Sequence, residues 1–167
     1  MSEITKVYRQ AMNASRFVGK RYTDEDRVDG MFGAKWGEWF QNGWFDQLEE
    51  RAPGKMQEIC EDGEASIGLM RDTDAGMEYW IGYFMPADTS VPEGFQSMDF
   101  PKCELGVCWV YGKEEEIFAH EGSCGMRLEN EGYKVKDEWC MERYKCPRFT
   151  TPDEKGNITL DICFFIE

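Results

Sequence analysis

At 167 residues the chain is long enough to bury roughly two-thirds of the surface its unfolded form exposes, which suits one compact domain or two small halves sharing a core. Its 33 acidic residues against 19 basic ones leave a formal net charge of -14, a sign that repels phosphate backbones, so no direct nucleic-acid binding is expected. Six Trp, eleven Phe and seven Tyr exclude a disordered acidic chain and call for an aromatic interior.

The opening MSEITKVYRQ lacks the apolar stretch of a signal peptide, and no later run reaches the about 18 apolar residues of a membrane span. A cytoplasmic location without membrane contact is therefore expected. Cys60, Cys103, Cys108, Cys124, Cys140, Cys146 and Cys163 are odd in number and form no C-x-x-C pair, which suits reduced thiols serving as small apolar residues. That cysteine pattern gives no expectation of a metal site, and without the glycine-rich phosphate motifs no cofactor is expected; a G-x-S-x-G elbow is absent as well.

In chain order, SRFVGKRY (15–22) predicts a strand and TDEDRVDGMFGA an acidic, solvated loop. KWGEWFQNGWFDQLEE (35–50) carries a helical stripe through Trp36, Trp39, Phe40, Trp44 and Leu48, and Asn42-Gly43 marks a break within it. EASIGLMRD (64–72) and MEYWIGYFMP (77–86) predict two strands joined by the turn TDAG. The same order then returns. CELGVCWVYG (103–112) predicts a strand, and 113–133 a helix through Ile117, Phe118, Met126 and Leu128, weakened by Gly122 and Gly125. DEWCMERYKC (137–146) and ITLDICFFIE (158–167) predict two more strands. The expected fold class is therefore α+β: a duplicated β-α-β-β arrangement with antiparallel sheets, helices on one face and a ligand cleft on the other. It forms a single domain over 1–167, with repeat one at about 15–86, a linker at about 87–101 and repeat two at about 102–167.

Four segments also carry a resemblance to a known family: RFVGKRY, KWGEWFQNG, VPEGFQSMDFPKCELGVCWVYG, and MERYKCPRF followed by DICFFIE. In this order and spacing the chain resembles the GyrI-like effector-binding domain family, a ligand-binding module found alone and attached to AraC-type and multidrug-responsive MerR-type transcription regulators. The resemblance implies the same duplicated fold and a central aromatic cleft in which one glutamate serves cationic ligands. The motif position falls on Glu142 of MERY.

Strand alternation puts Cys140, Glu142 and Tyr144 on one face, and Trp139, Met141 and Arg143 on the other. On the last strand Leu160, Ile162, Phe164 and Ile166 form the more apolar face, expected under the helices. Cys163, which stands where many relatives have tyrosine, and Phe165 are then expected to share the cleft with Glu142. Trp80, Trp109 and Tyr111 complete the expected ligand-binding set, with Gly82 leaving room beside Trp80. Each has a plainer reading as well. Glu142 taken alone reads as a surface glutamate paired with Arg143 or Lys145, and strand aromatics commonly fill a core. His120 and Cys124, four residues apart, could imitate a nucleophilic pair, but without a third group they read as exposed helix residues.

Three functions follow. The first is a stand-alone binding protein for small amphipathic, cationic or aromatic compounds. The second, an alternative implied by stand-alone relatives, is a hydrolase of cyclopropane-bearing electrophiles with Glu142 as acid or base, and the residues fit either role. The third is an interaction module of the gyrase-inhibitor type, whose acidic surface meets a protein partner.

Overall fold

The computed structural model of the chain describes residues 2–167, apart from the side chain of Asp137. Met1, the first residue of the expected domain, lies outside the described residues. In chain order the elements are β1 (Glu3–Met12), β2 (Ser15–Thr23), α1 (Gly33–Gln41), α2 (Trp44–Glu49), β3 (Ser66–Thr73), β4 (Gly76–Pro86), β5 (Gln96–Phe100), β6 (Cys103–Gly112), α3 (Glu114–Ile117), α4 (Glu121–Asn130), β7 (Val135–Tyr144) and β8 (Ile158–Ile166). This is an α+β fold of open, antiparallel sheet with a few helices. The chain divides into two compact units, Met1–Met12 with Lys102–Glu167, and Asn13–Pro101.

In the Asn13–Pro101 unit the strand order is β3-β4-β2-β5. The expected hairpin forms at Asp74-Ala75, where the Thr73 hydroxyl donates to the Gly76 carbonyl at 2.7 Å. The helical stretch breaks at Asn42-Gly43 as its sequence predicts. Gly43 sits at φ 65°, a left-handed conformation that glycine reaches without strain, and α2 starts afresh beyond it. Trp39, Phe45 and Leu48 carry the buried stripe, whereas Phe40 is exposed on the outer side. Trp39 donates its indole N–H to the Tyr22 hydroxyl at 3.0 Å, so a large apolar ring is buried without orphaning its polar atom. The stretch expected as a linker supplies β5, which pairs with β2 from Ser15↔Phe100 to Gly19↔Gln96.

In the other unit the order is β1-β6-β8-β7. β1, an element beyond those expected from the sequence, pairs along β6 from Glu3↔Tyr111 to Met12↔Cys103. The predicted helix over 113–133 is two helices, because Phe118, Ala119 and His120 interrupt it. Their inner residues, Ile117, Cys124 and Leu128, pack on Cys108, Val110, Ile158, Leu160 and Ile162 to form one core. Fully burying a side chain of the Leu or Ile type is worth about 1.5–3 kcal/mol, so this layer holds the helices on the sheet. Met126 and Phe118, placed by the sequence pattern on the buried side, are exposed instead. The break at 118–120 resets the helical phase, so a single stripe drawn across it fails.

Candidate functional site

Glu142 and Tyr144 lie on the helix-covered face of their sheet. The register decides this: Glu142 is paired with Ile162 and Cys140 with Phe164, while Met141 is paired with Cys163 and Arg143 with Asp161. Directly paired residues share a face. Ile162, Cys140 and Tyr144 all pack in the core beneath α3 and α4, so Glu142 is among them. The expectation of a site opposite the helices is corrected for this pair, and so is the grouping with Cys163 and Phe165. The alternation within each strand was right; the pairing between strands reversed which faces coincide.

The Glu142 side chain is 7% exposed. Its carboxyl is pushed up to about 8, first by burial and then by the negative charge of Glu121, while a hydrogen bond with Tyr144 favours the ionised form. Among the described residues it has no cationic partner. Tyr144 leads outward: its ring meets Phe149 edge-on at 4.7 Å, and Phe149 meets Phe118 at 6.4 Å. Phe118, at 38% exposure, brings this row of rings to the surface at the break between α3 and α4. Thiols belong to the same core, Cys108 and Cys124 buried and Cys140 partly so. Cys108 donates to the Cys124 carbonyl at 3.6 Å, and burial pushes the Cys140 thiol up, with Glu121 adding to the shift. The sequence does not mark Phe149 and Glu121 as site residues, and it gives Phe118 only as part of the helical stripe. MERYKCPRF did contain Phe149, but only the fold carries it back over β7.

Trp109, Tyr111, Cys163 and Phe165 occupy the other face of the same sheet, as the pairings Trp109↔Asp161, Tyr111↔Thr159 and Val107↔Cys163 require. Trp109 donates to the Tyr8 hydroxyl at 3.2 Å and lies against Lys6 and Arg148, whose cationic groups are 4.5 Å and 4.6 Å from its ring centre. On this face Asp161, fully buried, accepts from both Arg143 and Arg148. Tyr111 bonds Asp153, which pushes its hydroxyl up. Cys163 and Phe165 are buried.

Trp80 is in the Asn13–Pro101 unit, on the face away from α1 and α2, packed edge-on against Phe17 at 6.1 Å. Its indole N–H donates to Glu78 at 2.7 Å. Gly82 does not make space for a ligand: a Cβ there would stand 2.1 Å from the Val18 carbonyl oxygen, and one on its partner Gly19 would stand 2.0 Å from that of Ile81. The two glycines let β2 and β4 approach closely. His120 and Cys124 do not form a reactive pair. His120 precedes the first turn of α4, its Nε2 is 2.6 Å from the Ser2 hydroxyl, and Cys124 is buried under the helix rather than exposed.

No family model matches the chain, and no curated protein matches its sequence. Solved structures share its fold. SAV2435 bound to tetraphenylphosphonium is 15% identical, with a TM-score of 0.68 over 98% of this chain and 94% of that one. The EcmrR C-terminal domain is 13% identical, with a TM-score of 0.61 over 97% of each chain. A hydrolase from Listeria innocua is 12% identical, with a TM-score of 0.57 over 97% of this chain and 92% of that one. The likeness is one of fold, and it is consistent with the GyrI-like architecture.

Proposed function

We propose that the chain binds small amphipathic or aromatic cations at Glu142, beneath the α3–α4 segment. The observation that carries this reading is a buried carboxyl with no cationic partner among the described residues and a row of aromatic rings leading to it from the surface. Ionising such a group in an apolar surround costs several kcal/mol, and a bound cation would offset that cost. Tyr144 and Phe149 would add cation–π attraction of roughly 0.5–2 kcal/mol per good contact. Glu142 is covered, so a ligand has to displace part of α3–α4, whose Gly122 side is open. The tetraphenylphosphonium bound to SAV2435, which has this fold, supports an aromatic cation as the ligand class. Trp80, Trp109, Tyr111, Cys163 and Phe165 are not part of this site as proposed.

Titration calorimetry with tetraphenylphosphonium tests the reading. Glu142→Gln is expected to fold and to weaken binding by about 1–3 kcal/mol, the range for a hydrogen bond to a charged group in a desolvated site. Unchanged affinity would overturn it. Because Glu142 holds its proton up to about pH 8, binding a cation expels one proton, so wild-type affinity is expected to rise with pH and level off near 8. A flat pH profile, or the same slope in Glu142→Gln, would contradict this.

One feature favours hydrolysis as a second reading: a carboxyl protonated at neutral pH is the form a general acid needs. The hydrolase that shares the fold is in keeping with it. Turnover of a strained cyclopropane-bearing electrophile, lost in Glu142→Gln, would separate catalysis from binding.

A further inference from the structure

We infer that Glu121 is a second anionic contact of the Glu142 site and that the ligands the site favours carry two separated positive charges. This rests on the proposed cation-binding role of Glu142. Residues i, i+3 and i+7 of a helix share a face, so Glu121 is in line with Cys124 and Leu128. Cys124 and Leu128 are fully buried on the sheet and pack in one core with Ile162, the strand neighbour of Glu142. The same face of α4, one turn earlier, therefore carries Glu121 toward the edge of the covered carboxyl, where it is half-buried. It stands three residues past Phe118, where the row of aromatic rings reaches the surface. Its charge is felt below: it pushes up both Glu142 and Cys140.

No salt bridge among the described residues engages Glu121 or Glu142; the one arginine of α4, Arg127, pairs with Glu131 instead. A carboxylate at the first turn of a helix gains from the helix dipole, and that benefit alone would explain Glu121 if it pointed to water. On the buried face of α4, with its charge acting on the buried Glu142 carboxyl, it carries a repulsion that one cation relieves only in part. A ligand with one charged group beside Glu142 and another at the mouth beside Glu121, joined by an apolar or aromatic span lying along Tyr144, Phe149 and Phe118, meets both.

The experiment compares two matched probes by titration calorimetry: pentyltriphenylphosphonium and the pentane-linked bis(triphenylphosphonium). In wild-type protein the bis-cation is expected to bind about tenfold or more tighter, the scale of one additional charged contact. Glu121→Gln should bring that advantage down to about twofold, the statistical benefit of two equivalent ends, while changing the monocation's affinity less than about threefold. A purely structural role for Glu121 would weaken both probes together, and that outcome overturns the inference. So does a monocation that binds wild-type protein as well as the bis-cation does. Failure of both probes to bind would remove the cation-binding reading itself, and with it this extension.

Discussion

Glu78 and Glu142 make an instructive pair, one in each unit. Both are strand glutamates, 6% and 7% exposed, and in both an aromatic residue two positions on reaches the carboxyl: Trp80 through its indole nitrogen, Tyr144 through its hydroxyl. The rows beside them differ. Glu78 is paired across β3 with Arg71, whose guanidinium is 3.2 Å away, and Arg21 of β2 comes within 3.6 Å. Burial alone would raise the Glu78 carboxyl, but Trp80, Arg71 and Arg21 together hold it below the usual range. Glu142 is paired with Ile162, and the next residue along that row is Cys108. At similar side-chain exposure the carboxyl is held ionised in one unit, where Trp80 and two arginines accompany it, and protonated in the other, where it is set deeper among apolar groups and no cation accompanies it among the described residues.

The largest effect expected from breaking this contrast is on stability. Glu142 ionises near 8 when folded and near 4.5 when unfolded, so the folded state holds more protons between those values and stability falls as pH rises through them. Glu142→Gln removes that loss and should stabilise the protein by about 2–4 kcal/mol at pH 8, with little change at pH 4. Denaturant unfolding across pH 4–9 measures it; a destabilised variant at pH 8 would show that Glu142 is ionised and paired. The same substitution at Glu78 should act in the opposite direction. Its contribution is present above the unfolded value of 4.5 and fades as pH falls below it, so Glu78→Gln should cost about 1–2 kcal/mol at pH 7. The modest size reflects the solvent exposure of Arg71 and Arg21. No pH dependence in that loss would argue that packing, not charge, is what Glu78 supplies. Smallest is Phe118→Ala, expected to weaken tetraphenylphosphonium by about 0.5–1 kcal/mol with unfolding little changed, since the ring is already partly in water. Equal affinity would place the ligand's path elsewhere.

Local features of the fold were legible because local chemistry imposes them. Asn42-Gly43 ends a helix wherever it sits, and TDAG between two apolar strands makes a hairpin. Alternation likewise put Glu142 with Tyr144 and Cys140. The missing parts were non-local. β1 and β5 are edge elements whose partners, β6 and β2, lie far away in sequence, so neither advertises itself by a neighbouring turn. The exposure of Phe118 follows from a helix break at a point where His120 meets Ser2, over a hundred residues earlier in the chain.

Composition and strand period set Glu142 on one face of its strand with Cys140 and Tyr144 but, taken alone, make it a surface glutamate; it was the resemblance of MERYKCPRF to a family motif that singled it out. None of these was enough to choose its surroundings. A strand offers two equivalent faces until its partner's register is known, and a shift of one residue exchanges them. The pairing of Glu142 with Ile162 rather than Cys163 made that choice: it put the carboxyl under α4, where the charge of Glu121 acts on it and no cation pairs with it among the described residues, and left Trp109 and Phe165 on the opposite face.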